Sequence, residues 1–188
     1  MVLKQLILLS LLLTAFPRLC HAAVQENISY DYYSVTVAQG TLHEALVAAY
    51  PLQKPGERHH AFTNWRIDWH FDWAGDGGDK CSMSSVETTL TVTMTLPKIV
   101  SASPAIDQQF DDYFPKLKVH EDGHLEIARN AANSIDSALA GIRGVACSLI
   151  ADQGNKTAHD ILDRAIAAEK DYDTRTEHGK TQGAYLGR

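Results

Sequence analysis

The residues best suited to chemistry fall in one short stretch, His120-Glu121-Asp122-Gly123-His124, which reads H-E-x-x-H. Residues four apart on a helix share a face, so His120 and His124 can aim two imidazole nitrogens at one metal ion. Glu121 lies about 100° round the same helix, within reach of a water on that metal. Zinc takes neutral nitrogen or anionic donors, and a catalytic zinc site keeps one position open for water. The metal lowers the pKa of that water, and a neighbouring carboxylate can take its proton. The spacing therefore points to a single Zn²⁺ held by His120 and His124, with Glu121 as general base.

The surrounding pattern is helical. Ile106, Phe110, Tyr113, Phe114 and Leu117 precede the motif, and Ile127, Ala128, Ala131, Ile135, Leu139 and Ile142 follow it in steps of three and four. The polar triplet continues this apolar stripe, and buried histidines and carboxylates need partners. Ser103-Pro104 supplies a helix start, Pro115 predicts a kink or restart, and Gly141 and Gly144 a stop. Gly123 disfavours the helix by about 1 kcal/mol against alanine, which close approach beside the metal would explain. Two histidines do not complete a zinc site. The metzincin pattern requires glycine and histidine where this chain has Ile127 and Asn130. His159, Asp163, Glu169, Asp173 and His178 lie downstream as candidates for the third donor, and spacing does not choose among them.

Other elements must position this helix. Ile28 to Val37 reads as a strand rich in tyrosine and β-branched residues. Thr41 and Glu44 form a capping box for a short helix ending before Pro51. Trp65, Ile67, Trp69, Phe71 and Trp73 then alternate with Asn64, Arg66, Asp68, His70 and Asp72, a strand with one buried face. The Gly75–Asp79 turn joins it to a second strand, Ser84 to Pro97, with Leu90, Val92, Met94 and Leu96 on one side and threonines on the other. Thr157 with Asp160 opens a last helix, and the polar tail from Asp171 to Arg188 reads as extended coil. The expected fold is α+β, a small antiparallel sheet packed by the histidine-bearing helix and the C-terminal helix in a zincin-like arrangement.

Residues 1–22 read as a signal peptide. Lys4 precedes the apolar run Leu6–Leu13, and Cys20-His21-Ala22 ends in a small residue. The run is too short for a membrane span, so no membrane insertion is expected after its removal. Residues 23–188 then form one domain of ordinary size, periplasmic or secreted. Cys81 and Cys147 remain and predict one intramolecular disulfide, which by chain entropy stabilises such a long loop by about 4 kcal/mol. A net charge of −6 argues against nucleic acid as a partner.

Taken together, the leader, the W-x-I-x-W strand, Cys81, the threonine-rich strand ending in Leu96-Pro97, the stretch His120–Ala128, Cys147 and the segment from Tyr172-Asp173 through His178-Gly179 to Gln182-Gly183-Ala184 resemble a bacterial family. This is the domain of unknown function 922 family, described as predicted secreted zinc-dependent proteases. The resemblance covers nearly all of residues 23–188. It implies that His178, in the family's C-terminal motif, is the third zinc ligand. It also implies that the tail folds back over the metal, where Tyr172 or Tyr185 could donate a hydrogen bond to a tetrahedral intermediate. The implied function is an exported zinc metallopeptidase acting on peptide or protein substrates. The alternatives are a non-catalytic metal-binding or cell-envelope interaction domain, and a zinc amidase acting on a non-protein amide.

Overall fold

The computed structural model describes residues 23–51 and 59–187, so the leader reading falls outside the described residues. The chain runs β1 (Gln25–Thr36), α1 (Leu42–Ala49), β2 (Phe62–Gly75), β3 (Lys80–Ser101), α2 (Pro104–Ala140), β4 (Val145–Ala146), α3 (Ile150–Thr176) and a 3₁₀ turn, Lys180–Gln182. The fold is α+β. β3 is the spine of the sheet, with β1 on one side and β2 on the other.

The sheet is mixed, where the sequence suggested antiparallel strands throughout. β2 and β3 form the expected antiparallel hairpin, closed by Asp76 N–H donating to the Lys80 carbonyl. β1 runs parallel to β3. A parallel neighbour needs a crossover, and α1 with β2 occupies that crossover here.

Alternation decides which face is covered. Leu90, Val92, Met94 and Leu96 of β3 are wholly buried, as are Leu139 and Ile135 of α2. α2 lies across β2 and β3, and α3 packs on α2. On β2 the expected face turns inward, but unevenly. Ile67 is buried, Trp65, Trp69 and Phe71 are half-buried, and Trp73 is 43% exposed. The register shifts between Asp72 and Trp73, where Ser84 has no partner on β2. Such a bulge re-aims the strand end and takes Trp73 off the core.

α2 keeps its expected ends, with Ser103 and Gly141 as caps, and α3 exceeds its sequence pattern. α2 passes through Pro115 without a break, with that residue on the exposed side, where water can satisfy the carbonyl a turn earlier. α3 starts seven residues before Thr157 and continues through Asp171–Thr176, which the sequence suggested was coil. Gly154 is inside the helix and buried. A Cβ there would stand 2.8 Å from Met83 Cε and Phe71 Cζ, so glycine lets α3 approach the sheet. The polar end of α3 looked like coil because Asp173 turns toward the cleft and Thr176 is buried with its hydroxyl donating to the Tyr172 carbonyl (2.8 Å).

Cys81 and Cys147 form the expected disulfide, with Cα atoms 4.9 Å apart. Beside it, Val145–Ala146 pairs with Lys80–Cys81 at the start of β3. The bridge thus fixes the α2–α3 connection to the sheet. No helix among the described residues is long and apolar enough to cross a membrane.

Candidate metal centre

α2 and α3 bring three donor atoms together. His120 and His124, one turn apart on α2, are both buried, and their Nε2 atoms are 3.3 Å apart. From α3, Asp173 Oδ1 stands 3.2 Å from His120 Nε2 and 3.1 Å from His124 Nε2. Donors at about 2.0–2.1 Å around a tetrahedral ion stand roughly 3.3 Å from one another. The triangle fits such an ion, and these three residues could hold a metal.

The outer nitrogens settle which atoms face inward. His124 Nδ1 is 2.8 Å from Glu169 Oε2, and His120 Nδ1 is 3.0 Å from Gln182 Oε1. Both partners are acceptors, so each Nδ1 carries a proton and donates it. Each Nε2 then presents its lone pair to the centre, as metal-binding histidines do. Asp173 Oδ1 is buried, and no N–H group is aimed at it in hydrogen-bond geometry despite its two close nitrogen neighbours. The three atoms surround a common point, all within 3.3 Å of one another.

Electrostatics make the same demand. Burial disfavours charge on His124, but the carboxylates of Asp173 and Glu169 outweigh it and raise its pKa to about 10. Burial would raise Asp173, yet the two histidines hold it far below the usual carboxylate range. The cluster calls for a positive charge at its centre, from a proton or from a metal ion.

Glu121 lies beside this group and is 4% exposed. Burial raises its pKa; the hydrogen bond from Thr63 and the nearby histidines oppose the shift without cancelling it. Thr63 Oγ1, on β2, donates to Glu121 Oε2 at 2.6 Å. The sheet therefore fixes one oxygen of the carboxylate.

The third atom in the group that could hold a metal belongs to Asp173, where the resemblance pointed to His178. His178 does come back to the site, but one position further out. Its Nδ1 is 3.5 Å from Asp173 Oδ1 and its side chain is 67% exposed. A helical step of five residues separates the two, and the chain turns left-handed at Glu177 and His178, carrying His178 to the rim. Glu169 supports His124 as described. His159 lies away from the cleft, its ring against Trp69. Tyr172 lies face-on to the His120 ring, donates to the His120 carbonyl (3.1 Å) and accepts from Gln182 Nε2 (2.9 Å). This hydroxyl is engaged in holding α2. Tyr172 also explains Gly123, because any Cβ there would overlap the tyrosine hydroxyl. Gly179 is similarly placed, with φ of +86° and a would-be Cβ 3.0 Å from His120 Cγ.

Sequence reasoning missed Thr63, Gln182 and the choice of Asp173. Thr63 gives no local signal, since it acts across the fold, and Gln182 stood only within the segment that carries the family resemblance, with no role attached. Asp173 had one: it lies four residues after Glu169 on the same helix, so both carboxylates share the face turned to α2.

The comparisons with known proteins then place the chain. A sequence profile of bacterial proteins of unknown function, DUF922, matches residues 30–179. The chain is a DUF922 protein. The matched span takes in His120, Glu121, His124, Glu169 and Asp173, and stops short of Gln182. No curated protein and no solved structure matches this DUF922 chain.

Proposed function

We propose that this DUF922 protein is an exported zinc-dependent metallopeptidase. The observation that carries the reading is the convergence of His120, His124 and Asp173 on one point, with the buried carboxylate of Glu121 beside them. Two imidazoles and one carboxylate form a donor set suited to zinc. Zinc bound there would supply Lewis acidity and make water a nucleophile near neutral pH.

The chain's own groups do the rest. Glu121 takes the proton of the attacking water through the oxygen that Thr63 leaves free, then returns it to the leaving amine. Its raised pKa brings it closer to the working range of a general base. Glu169 and Gln182 hold the imidazoles in orientation. Tyr172 acts as a positioning residue for α2, and His178, exposed at the rim of the cleft, stands beside Asp173. The site opens into a cleft of about 610 Å³, lined by β2, α2 and the C-terminal segment, a size suited to a peptide. The disulfide fits an oxidising compartment and supports export.

The test is hydrolysis of a mixed peptide library by zinc-loaded wild type and Glu121→Gln. Cleavage by the wild type, reduced at least about 100-fold in the variant at equal zinc content, supports the reading. Zinc binding with no turnover of any peptide by the wild type would leave a metal-binding domain in its place.

A further inference from the structure

A second cluster lies in the same cleft, toward the start of α2. Tyr113 is buried, and its hydroxyl is 2.6 Å from His60 Nδ1. His60 Nε2 is in turn 3.0 Å from His43 Nδ1. The three come from α2, the residues before β2, and the first turn of α1, and all line the cleft. They are held firmly. The Tyr33 hydroxyl donates to the His60 carbonyl at 2.7 Å, and the Thr41–Glu44 capping box pins the turn that carries His43.

The proton count gives this chain two arrangements. In one, Tyr113 donates to His60 and His60 donates to His43. In the other, His43 donates to His60, His60 donates to Tyr113, and the tyrosine hydroxyl is released to donate into the cleft. Burial, with His43 and His59 nearby, pushes His60 down to about 4, so the relay stays neutral in either arrangement. No carboxylate takes part in these bonds. The cluster is thus built to offer a neutral donor to an acceptor.

Its distance from the metal centre gives it a role. Tyr113 precedes His120 by seven residues, about 10 Å along α2, and long helical side chains lean back toward the N-terminus. An extended peptide covers about 3.3 Å per residue. We propose that Tyr113, set by His60 and His43, forms a substrate subsite that donates a hydrogen bond to a peptide carbonyl or terminal carboxylate about three residues from the bond cut. The subsite rests on the metallopeptidase reading and gives it a length requirement.

The experiment uses residues 23–188 with Glu121→Gln, loaded with zinc so that peptide binds without being cut. Fluorescent alanine-based peptides of increasing length, with free or amidated C-termini, are titrated by anisotropy. Tyr113→Phe removes only the hydroxyl, and His43→Ala removes the far end of the relay. The expected result is a loss of about 3- to 10-fold in affinity in both variants, confined to peptides long enough to reach the cluster. A loss that disappears on amidation assigns the carboxylate as acceptor; one that persists assigns a backbone carbonyl. Length dependence that ignores both substitutions overturns the subsite and leaves the peptidase reading standing. A second zinc ion bound by the unsubstituted chain and lost with His43→Ala also overturns it, by giving the histidine pair to a metal. Failure of every peptide to bind the zinc-loaded chain overturns both readings together.

Discussion

Two pairs of histidines face one cleft, and the protein treats them in opposite ways. At one end, His124 sits between Asp173 and Glu169, and its pKa rises to about 10. At the other, His60 sits between Tyr113 and His43, and its pKa falls to about 4. Both are largely withdrawn from water, so burial alone does not separate them. The partners do. Carboxylates around a pair of imidazoles create a place for a cation, whereas a phenol and a second imidazole create a neutral hydrogen-bonded chain. Histidine content therefore says little about a site until the groups touching each ring are known.

The sharpest way to break this contrast is to remove one histidine from each end. His124→Ala should weaken zinc binding by more than about 100-fold, given that loss of a supporting partner alone weakens it 10- to 100-fold. His60→Phe should leave zinc affinity unchanged. Competition with a chromogenic chelator measures both, and equal losses would erase the distinction. Glu169→Gln tests the supporting carboxylate and should lower zinc affinity about 10- to 100-fold while the fold persists.

Gly123→Ala probes the packing that brings the two helices together at the metal end. The new methyl group displaces Tyr172 from the turn it covers. Overpacking of this kind destabilises by about 1–3 kcal/mol, readable as a lower midpoint in urea. Stability should also depend on pH. In metal-free protein, His60 binds its proton more weakly folded than unfolded. Its contribution to stability is present above about pH 6.5 and declines as pH falls toward 4. His124 binds its proton more tightly folded. Its contribution is present below about pH 6.5 and declines as pH rises toward 10. Thermal unfolding across pH should show both slopes, with the acid one flattened by His60→Phe.

The histidine cluster on α2 was readable in the sequence wherever chemistry and helical period coincide. His120, Glu121 and His124 share a short span on one helix, and period alone aligns them. The β2–β3 hairpin was equally legible from alternation and its glycine turn. The parallel pairing of β1 was not, because strand direction depends on a crossover that no local pattern records. The extent of α3 was hidden for a related reason. Gly154 and the polar residues after Asp171 look like breakers until the sheet and the cleft they face are known. Asp173 was among the candidate donors but could not be chosen, since the choice depends on how α3 lies against α2. The cluster of His43, His60 and Tyr113 left no sequence signal, as its members come from three separate elements.

In the proposed site, Asp173 closes the metal centre from α3. The most direct measurement is zinc content, with affinity, for the wild type, Asp173→Asn and His178→Ala, each checked for native secondary structure. One zinc ion is expected in the wild type and in His178→Ala, and its loss from Asp173→Asn. Full zinc retention in Asp173→Asn together with loss from His178→Ala would contradict this site and return the third position to His178.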